Sequence, residues 1–261
     1  MAVYVIGDIH GCFNEFLNIL NQINLKEDDR LYLVGDYVDR GSQSGKVLEW
    51  LENCPPNVFP IKGNHDLEFA QSIALMQQID SSAELFTDYD SVEDTKNLYD
   101  TARYVMKGHG TEFLKYFDHY DTICRLIEDD EVPFSKLQQW ADMLVGYPFF
   151  YRFPFRDKEC VVVHAGYTEG LSAEDAENFY IYAREEAIQD GGIDHGLVVA
   201  GHNPTIYNDY MFYNEGKVFS YYNKEKDCQF FDVDCGSEYR SIDIRGKLAC
   251  IRVDDEEVFY S

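Results

Sequence analysis

The run at residues 33–41 reads LVGDYVDRG and joins the features of a buried strand to those of a polar loop. Two apolar residues lead into a glycine, and Asp36, Asp39 and Arg40 follow within the next five positions. A strand in the core would not tolerate two carboxylates, because charged side chains are almost never buried without partners. The three charged residues are therefore expected to lie where a buried strand ends and to have a chemical task there.

Short apolar runs and helical patterns alternate around this motif. Strands are predicted at 3–6, 31–34 and 58–61, and the helices between them are indicated by apolar residues at helical spacing after position 13 and over 46–52. This β-α-β-α-β order is typical of parallel crossover units. Later apolar runs predict further strands at 160–163, 197–200, 230–233, 242–244 and 248–253.

From about 67 to 147 the strand signals disappear, and the apolar spacing favours several helices with acidic outer faces. Because strands resume afterwards, this segment is interpreted as a helical insertion within a single domain that spans residues 1–261. The insertion lies between two predicted strand ends, so its helices are expected to overhang the crevice there and to shape substrate choice.

The chain is strongly acidic, with 48 Asp and Glu against 22 Lys and Arg and a net charge of −26. This charge argues against binding to nucleic acid or to an anionic membrane, because both are themselves negative. No apolar run reaches the roughly 18 residues of a membrane span, and the N-terminus lacks the pattern of a secretory signal. The seven cysteines are scattered without a CxxC pair, which is typical of reduced thiols in the cytoplasm and of neither zinc ligands nor a nucleophile.

Polar, glycine-flanked residues follow the predicted strands. The carboxyl ends of parallel strands lie together and line the ligand crevice, so these residues are expected on one rim. The candidates are Asp8, His10, Asp36, Asn64, His164 and His202. Each motif by itself has an ordinary explanation, such as a capping aspartate or an Asx turn, but the five motifs together favour a site for two Mn, Fe or Zn ions. Outside the pattern lie three histidines that are interpreted as ordinary: His109, His119 and His195.

In this order, the motifs GDIHG, GDYVDRG, GNHD, HAG and GH resemble those of the phosphoprotein phosphatase branch of the calcineurin-like metallophosphoesterases. The resemblance runs from Asp8 to His202, and DCG at 234–236 is similar to the family's closing strand. It implies an α/β fold, a β-sandwich flanked by helices in the order α/β/β/α. Pro204 stands where many other members have the second histidine of Gly-His-x-His, and GNHD resembles the small bacterial or phage serine/threonine phosphatases.

The resemblance implies two divalent transition-metal ions, with Mn²⁺ expected and Fe or Zn as alternatives. Asp36 would bridge them, because its carboxylate can lie between two dications roughly 3.5 Å apart. The implied ligands are Asp8, His10 and Asp36 for the first ion, and Asp36, Asn64, His164 and His202 for the second.

Further residues receive roles from the same resemblance. Arg40 has a planar guanidinium that matches phosphate oxygens, while Asp39 can orient His65 so that His65 protonates the leaving oxygen. Arg184 would be a second phosphate clamp, although Tyr182 stands where the motif W-x-R-E has tryptophan. The alternatives are a simple ion pair between Asp39 and Arg40, and an arginine on a helix surface at position 184.

The expected mechanism is direct: a hydroxide bridging the two ions attacks phosphorus in line, and no phospho-enzyme forms. Arg40, Asn64 and Arg184 would bind the phosphate oxygens, and His65 would donate the proton. No serine or cysteine nucleophile is needed for this reaction.

Three functions fit this chemistry. The main expectation is a bacterial-type serine/threonine protein phosphatase that acts on a phosphorylated protein or a small phosphoester. It is preferred because the phosphatases keep the acid at Asp39, which the best-known symmetrical dinucleoside hydrolases replace. The alternative is a symmetrical hydrolase of diadenosine tetraphosphate, and a catalytically dead binding module is a remote third because every metal ligand is present. The physiological substrate, the native metal, the oligomeric state and the reason for the acidic charge stay open.

Overall fold

The computed structural model describes residues 1–83, 90–107, 117–209 and 211–261. The described part of the chain contains ten strands, eight α-helices and a short 3₁₀ turn at Ser237–Tyr239. The strands are β1 (Val3–Ile6), β2 (Arg30–Leu33), β3 (Val58–Pro60), β4 (Phe150–Phe155), β5 (Lys158–Val163), β6 (Gly196–Ala200), β7 (Phe219–Asn223), β8 (Cys228–Asp232), β9 (Ala249–Arg252) and β10 (Glu257–Tyr260). The helices are α1 (Phe13–Ile23), α2 (Ser44–Glu52), α3 (Asn64–Ala83), α4 (Val92–Lys107), α5 (Phe117–Glu128), α6 (Phe134–Gly146), α7 (Ala173–Tyr182) and α8 (Glu186–Gln189).

The strands form two five-stranded mixed sheets. In the first sheet the order is β10-β9-β1-β2-β3; its strands β1, β2 and β3 are parallel, and β9 pairs antiparallel with β1. In the second sheet the order is β4-β5-β6-β8-β7; its strands β5, β6 and β8 are parallel, and both edge strands are antiparallel to their neighbours. This arrangement confirms the predicted α/β class.

One face of each sheet packs against the other sheet. Tyr32 of β2 stacks on Phe153 of β4 with ring centroids 4.9 Å apart and an interplanar angle of 6°. Side chains alternate between the two faces of a strand, so Val3 and Val5 of β1 enter this inner core while Tyr4 and Ile6 point outward. Removal of apolar surface from water is the main favourable contribution here, at about 25 cal/mol per Å².

Helices cover the outer faces of the two sheets. Tyr4 and Ile6 belong to one buried cluster with residues of α1 to α6. On the other side, Val161 and Val198 of the second sheet pack with Ala187 and Ile188 of α8 and with half-buried aromatic residues of α7. The layers therefore follow the order helix, sheet, sheet, helix, which confirms the fold expected from the resemblance.

The polar strand ends come from both sheets rather than from a single parallel sheet. β1, β2 and β3 lead to the motifs up to position 66, whereas β5 and β6 lead to those at 164 and 202. All five end on the same edge of the sandwich, because the carboxylate oxygens of Asp36 lie 3.5 Å from Nε2 of His10 and 3.5 Å from Nε2 of His164. Face-to-face packing of two sheets thus brings the polar strand ends together, whereas the sequence predicts that a single parallel sheet does so.

The predicted strand at 242–244 is wrong. The structure has turns there, and both isoleucines of this segment are exposed. Their β-branched side chains favour a strand, but strand propensity depends on burial against neighbouring side chains, and these two are 83% and 99% exposed. Three strands were not predicted, namely β4, β7 and β10. Each lies at the edge of its sheet and has exposed or half-buried positions, so its apolar signal is weak.

The predicted insertion corresponds to the segment between β3 and β4, where α3 to α6 are found. Phe69, Ile123 and Trp140 of these helices are buried in the same cluster as Ile6 and Leu33 of the first sheet. Residues 84–89 and 108–116 of this segment, which include His109, lie outside the described residues. The single domain over 1–261 stays a prediction. None of the helices in the described part of the chain has the length and apolar character needed to cross a bilayer.

Candidate active site

A pocket of about 240 Å³ opens where β1, β2, β3 and β6 end. Its lining consists of Asp8, His10, Asp36, Arg40, Asn64, His65, Arg184, His202, Pro204, Tyr207, Asp234, Glu238 and Tyr239. Of the six predicted metal-binding residues only His164 is absent from this lining; it is fully buried, with its Nε2 3.1 Å from Oδ1 of Asn64. The structure therefore brings all six residues together.

The backbone at these strand ends has an uncommon conformation. Five residues other than glycine have a positive φ between 44° and 69°: His10, Asp36, Asp39, Arg40 and His202. Such a residue costs roughly 1 to 3 kcal/mol and persists only where the surrounding structure holds it. The strained turns follow β1, β2 and β6, and they direct the chain sharply away from each strand.

A buried carboxylate fixes the turn after β2. Asp66 accepts hydrogen bonds from the backbone N–H groups of Asp36 (2.9 Å), Tyr37 (2.9 Å) and Gly63 (2.8 Å). Burial and the nearby Asp36 raise the pKa of Asp66 to about 7, against the effect of these three hydrogen bonds. Gly35 is required in the same turn, because its φ is +102° and a Cβ there would lie 2.4 Å from the backbone nitrogen of Gly63. No role had been predicted for Asp66, although it is part of the GNHD motif.

Two histidines present a lone pair to Asp36. The Nδ1 atoms of His10 and His164 lie 2.9 Å and 2.8 Å from the backbone oxygens of Val38 and Val34. A carbonyl oxygen only accepts, so each Nδ1 carries the proton. Burial lowers the pKa of both imidazoles, which favours their neutral forms. Each Nε2 is therefore unprotonated and directed toward the carboxylate of Asp36.

These acceptors require a cation between them. Nε2 of His164 faces the side-chain oxygen of Asn64 and an oxygen of Asp36, so that three atoms with lone pairs meet. Among the described residues, the buried Nε2 of His202 has no hydrogen-bond partner, and burial lowers the pKa of this imidazole well below its ordinary value. Neutral imidazole, carboxylate and amide oxygen are the ligand types that divalent transition-metal ions accept. The residues present thus fit a metal site.

The acidic side chains of the pocket are a second indication that cations bind there. Burial, with Asp234 and Asp36 nearby, raises the pKa of Asp8 well above its ordinary value. Burial also raises the pKa of Asp234 to about 8 and that of Glu238 to about 7. For Asp36, burial favours the neutral acid, but His164, His65 and His10 outweigh it and hold the pKa below its ordinary range. Carboxylates crowded in this way are stabilised by bound dications, which reverse the cost of burying their charge.

The described residues include two groups of three possible metal ligands, and within each group the ligand atoms lie within 4.8 Å of one another. The first group is His10, Asp36 and His65, and the second is Asp36, His164 and His202. Asp36 belongs to both groups, as a bridging residue would. Asp8 lies outside them, because its carboxylate accepts the backbone N–H of His202 at 3.1 and 3.2 Å. His65 stands in the group where the resemblance places Asp8. The assignment of individual ligands stays a prediction.

His65 is held by a chain of side-chain contacts. Its Nδ1 lies 2.7 Å from Oδ2 of Asp39, and Oγ1 of Thr122 donates a hydrogen bond of 2.5 Å to the other oxygen of Asp39. Asp39 and Thr122 are both buried. The contact between Asp39 and His65 is the one expected from the sequence, whereas Thr122, which α5 of the predicted insertion supplies, was not foreseen.

Two arginines lie at the rim of the pocket, Arg40 in the turn after β2 and Arg184 in the turn between α7 and α8. Arg184 is therefore not an arginine on a helix surface. Its Nη1 donates to the backbone oxygen of His202 (3.0 Å) and to Oδ1 of Asn203 (3.2 Å). The ring of Tyr182 lies edge-to-face near His202, with centroids 6.5 Å apart.

Four residues of the pocket were missed: Tyr207, Asp234, Glu238 and Tyr239. A signal existed for Asp234, since it follows an apolar strand just as Asp8 and Asp36 do. Nothing in the sequence pattern places Glu238 and Tyr239, because they belong to a short 3₁₀ turn. Position in such a turn depends on tertiary contacts rather than on periodicity.

The seven cysteines are free, and burial raises the pKa of each thiol. Because the thiolate is the nucleophile and the metal ligand, a raised pKa keeps these thiols unreactive at neutral pH. This agrees with the expectation that none of them takes part in catalysis.

The fold and the pocket together define a class of protein, the metal-dependent phosphoester hydrolases. The chain belongs to the calcineurin-like phosphoesterase family, whose model matches residues 1–215. Members of this family use divalent metal ions. The chain is also similar in fold to a metallophosphoesterase from Sphaerobacter thermophilus, with a TM-score of 0.53 and 16% identity over 100% of this chain and 87% of that one.

Curated relatives match part of the chain. The symmetrical bis(5'-nucleosyl)-tetraphosphatase of Aliivibrio salmonicida is 40% identical over 97 residues, which are 36% of this chain and 36% of that protein. The enzyme of the same name from Buchnera aphidicola is 41% identical over 83 residues, which are 31% of this chain and 29% of that protein. The match thus spans about a third of the length of these relatives.

The main functional expectation, a serine/threonine protein phosphatase, is wrong. The relatives at about 40% identity are named as symmetrical tetraphosphatases, which was the alternative. The acid at position 39 does not distinguish a protein phosphatase from a symmetrical tetraphosphatase. The structure places its buried carboxylate against His65 and Thr122, and Asp39 is not among the residues that line the pocket.

Because Asp36 belongs to both groups of ligand atoms, we expect its substitution to weaken metal binding at both sites. Asp36→Asn should lose both ions after dialysis against Mn²⁺, because one substitution weakens both groups of ligands, whereas His202→Ala should lose one. Metal analysis of the folded proteins measures the ratio of metal to chain, and circular dichroism checks the fold. Retention of one full equivalent by Asp36→Asn would contradict a bridging role.

The contact between Thr122 and Asp39 predicts a catalytic effect from a residue outside the pocket. Thr122→Val keeps the side-chain shape but leaves a buried carboxylate oxygen without its donor, at a cost of about 1 to 3 kcal/mol. We expect kcat for phosphoester hydrolysis to fall roughly tenfold, with KM and metal content unchanged. Thr101→Val is the matched control, since the hydroxyl of Thr101 bonds to Asn97 within α4. Equal kcat values for the two variants would exclude the proposed contact from catalysis.

Proposed function

We propose that the protein is a symmetrical hydrolase of dinucleoside polyphosphates, which cleaves diadenosine tetraphosphate into two molecules of ADP. The observation that carries this proposal is the 40% identity to a symmetrical bis(5'-nucleosyl)-tetraphosphatase, in a chain whose pocket has the matching chemistry. We also assign the chain to the phosphoprotein phosphatase branch of the family, because its motifs follow the order found in that branch. We further propose a cytoplasmic location, because the cysteines are free.

Two divalent ions, Mn²⁺ by preference, would be held by Asp8, His10, Asp36, Asn64, His164 and His202. When bound, they supply an activated water and neutralise charge on the phosphate that is attacked. A tetraphosphate carries several negative charges, and the pocket contributes four carboxylates of its own. Without cations such a substrate would be repelled, so the ions are needed for binding as well as for chemistry.

Arg40 and Arg184, which both line the pocket, would orient the substrate. A guanidinium presents its donors in a fixed plane that matches two oxygens of one phosphate. Arg184 is positioned for this by its bonds to the backbone of His202 and to Asn203. The side-chain amide of Asn64 belongs to the same lining and would bind a further phosphate oxygen.

His65 would protonate the departing oxygen. Its Nδ1 faces Asp39, and its ring lines the pocket. Asp39 holds the ring in one orientation, which is what a general acid requires. The leaving group here is the terminal phosphate of ADP, which needs less protonation than a serine alkoxide does.

Substrate comparison tests the proposed function. Protein loaded with Mn²⁺ should hydrolyse diadenosine tetraphosphate with a higher kcat/KM than a phosphoserine peptide or a phosphotyrosine peptide, and ADP should be the sole nucleotide product. Chromatography of the products distinguishes this from asymmetrical cleavage, which gives ATP and AMP. Protein treated with a chelator is the control. Peptide phosphatase activity above the tetraphosphatase activity, or formation of ATP and AMP, would overturn the proposal.

The role of His65 predicts a loss that depends on the leaving group. His65→Asn should keep the metal content while lowering kcat, by roughly 10²- to 10⁴-fold for an alkyl phosphate and by less for diadenosine tetraphosphate. Asp39→Asn should act in the same direction, and the double variant should be little worse than His65→Asn, because residues that act as one unit are not additive. Equal losses for good and poor leaving groups would refute general-acid catalysis by His65.

A further inference from the structure

A second cavity adjoins the active-site pocket. It has a volume of about 370 Å³, and its lining includes Ile206, Asn208, Ile242 and Arg245. Tyr207 and Tyr239 line both this cavity and the pocket of the candidate metal ligands. A molecule bound to the ions can therefore extend into the second cavity past these two rings.

The walls of the second cavity suit a flat aromatic ring. Tyr207 and Tyr239 lie edge-to-face, with ring centroids 5.0 Å apart and an interplanar angle of 72°. In such a pair the edge of one ring meets the face of the other, and both rings line the cavity, so a planar group in it would lie against aromatic surface. Ile206 adds a buried apolar surface, and Ile242 adds an apolar side chain that is 83% exposed.

The polar groups of this cavity are matched to a neutral ligand rather than to a phosphate. Arg245 is paired with Asp243, with Nη2 2.6 Å from Oδ2 and Nε 3.0 Å from Oδ1. The charge of the arginine is thus balanced within the wall. Asn208 contributes an amide, which offers both a donor and an acceptor to the edge of a heterocycle.

A larger cavity between α3 and α6, of about 510 Å³, fits this purpose less well. Its lining includes Gln71, Gln77 and Gln138 but shares no residue with the active-site pocket.

We propose that the cavity beside Tyr207 and Tyr239 is a nucleoside subsite, which binds one nucleobase of the dinucleoside polyphosphate while the phosphate chain runs to the ions. This inference rests on the proposed function and deepens it. Stacking on aromatic side chains tolerates any base, because every base has a π face. The subsite therefore recognises the nucleoside end of the substrate, whereas Arg40, Arg184 and the ions recognise the phosphates.

The subsite also accounts for an exposed isoleucine. Ile242 lies in the turn after Tyr239, with its N–H donating to the backbone oxygen of that residue, and its side chain lines the cavity. A bound base would cover it and remove apolar surface from water. Ile244, two residues further on, is 99% exposed and is absent from the lining, which makes it a matched control.

The test compares binding of ADP and of pyrophosphate to the Mn²⁺-loaded full-length protein by calorimetry, since the two differ by the nucleoside. Wild-type protein should bind ADP more tightly than pyrophosphate. Tyr207→Ala should reduce this preference by roughly 5- to 100-fold, the loss of one base–aromatic stack, and Ile242→Ser by about three- to tenfold for lost apolar burial. Tyr207→Phe, which keeps the ring, and Ile244→Ser should keep the wild-type preference.

The outcomes separate this inference from the proposed function. If wild-type protein converts diadenosine tetraphosphate to ADP but Ile242→Ser and Tyr207→Ala keep the preference for ADP over pyrophosphate, the subsite is overturned and the proposed function stands. If the tetraphosphate is not hydrolysed but both variants lose the preference, the cavity still binds nucleosides and the proposed function fails. An equal affinity of wild-type protein for ADP and pyrophosphate would overturn the subsite in either case.

Discussion

One buried carboxylate, that of Asp66, organises the active site. Its hydrogen bonds from the backbone of Asp36, Tyr37 and Gly63 tie the end of β2 to the end of β3. Without them the strained turn at Asp36 would relax, because its positive φ is unfavourable for a residue with a side chain. Asp36 in turn accepts the backbone N–H of His65 at 3.0 Å and faces the imidazoles of two other strand ends. The turn thereby fixes the position of the Asp36 carboxylate relative to these imidazoles and to the backbone of His65.

The same turn concentrates groups that repel one another. Lone pairs of histidines meet the oxygens of Asp36 and Asn64, and several acids share one small pocket in a chain whose net charge is −26. Such an arrangement is unfavourable in the folded protein until cations occupy it. Ions that bind the folded state and not the unfolded chain therefore stabilise the fold by mass action. Metal binding and the stability of the folded site are therefore thermodynamically linked.

Much of this could be predicted from the sequence, because the strand ends are marked by apolar runs that stop at a glycine and a polar side chain. That local signal located all six candidate ligands, and the resemblance to the metallophosphoesterases implied the contact of Asp39 with His65. It could not locate Thr122 or Tyr239, which reach the site through tertiary packing of a helix and a 3₁₀ turn. Edge strands were missed because their side chains are only partly buried. The substrate was misjudged because these motifs encode the attack on phosphorus and not the group attached to it.

The hydrogen bond from Thr122 to Asp39 links catalysis to the local stability of α5. Proteins open in separate cooperative segments, each with its own free energy of opening. When α5 opens, the strands, the turn at Asp66 and the strand-end ligands stay in place, while His65 loses the support behind its carboxylate. Local opening of one helix would therefore be sufficient to lower activity while the two sheets persist.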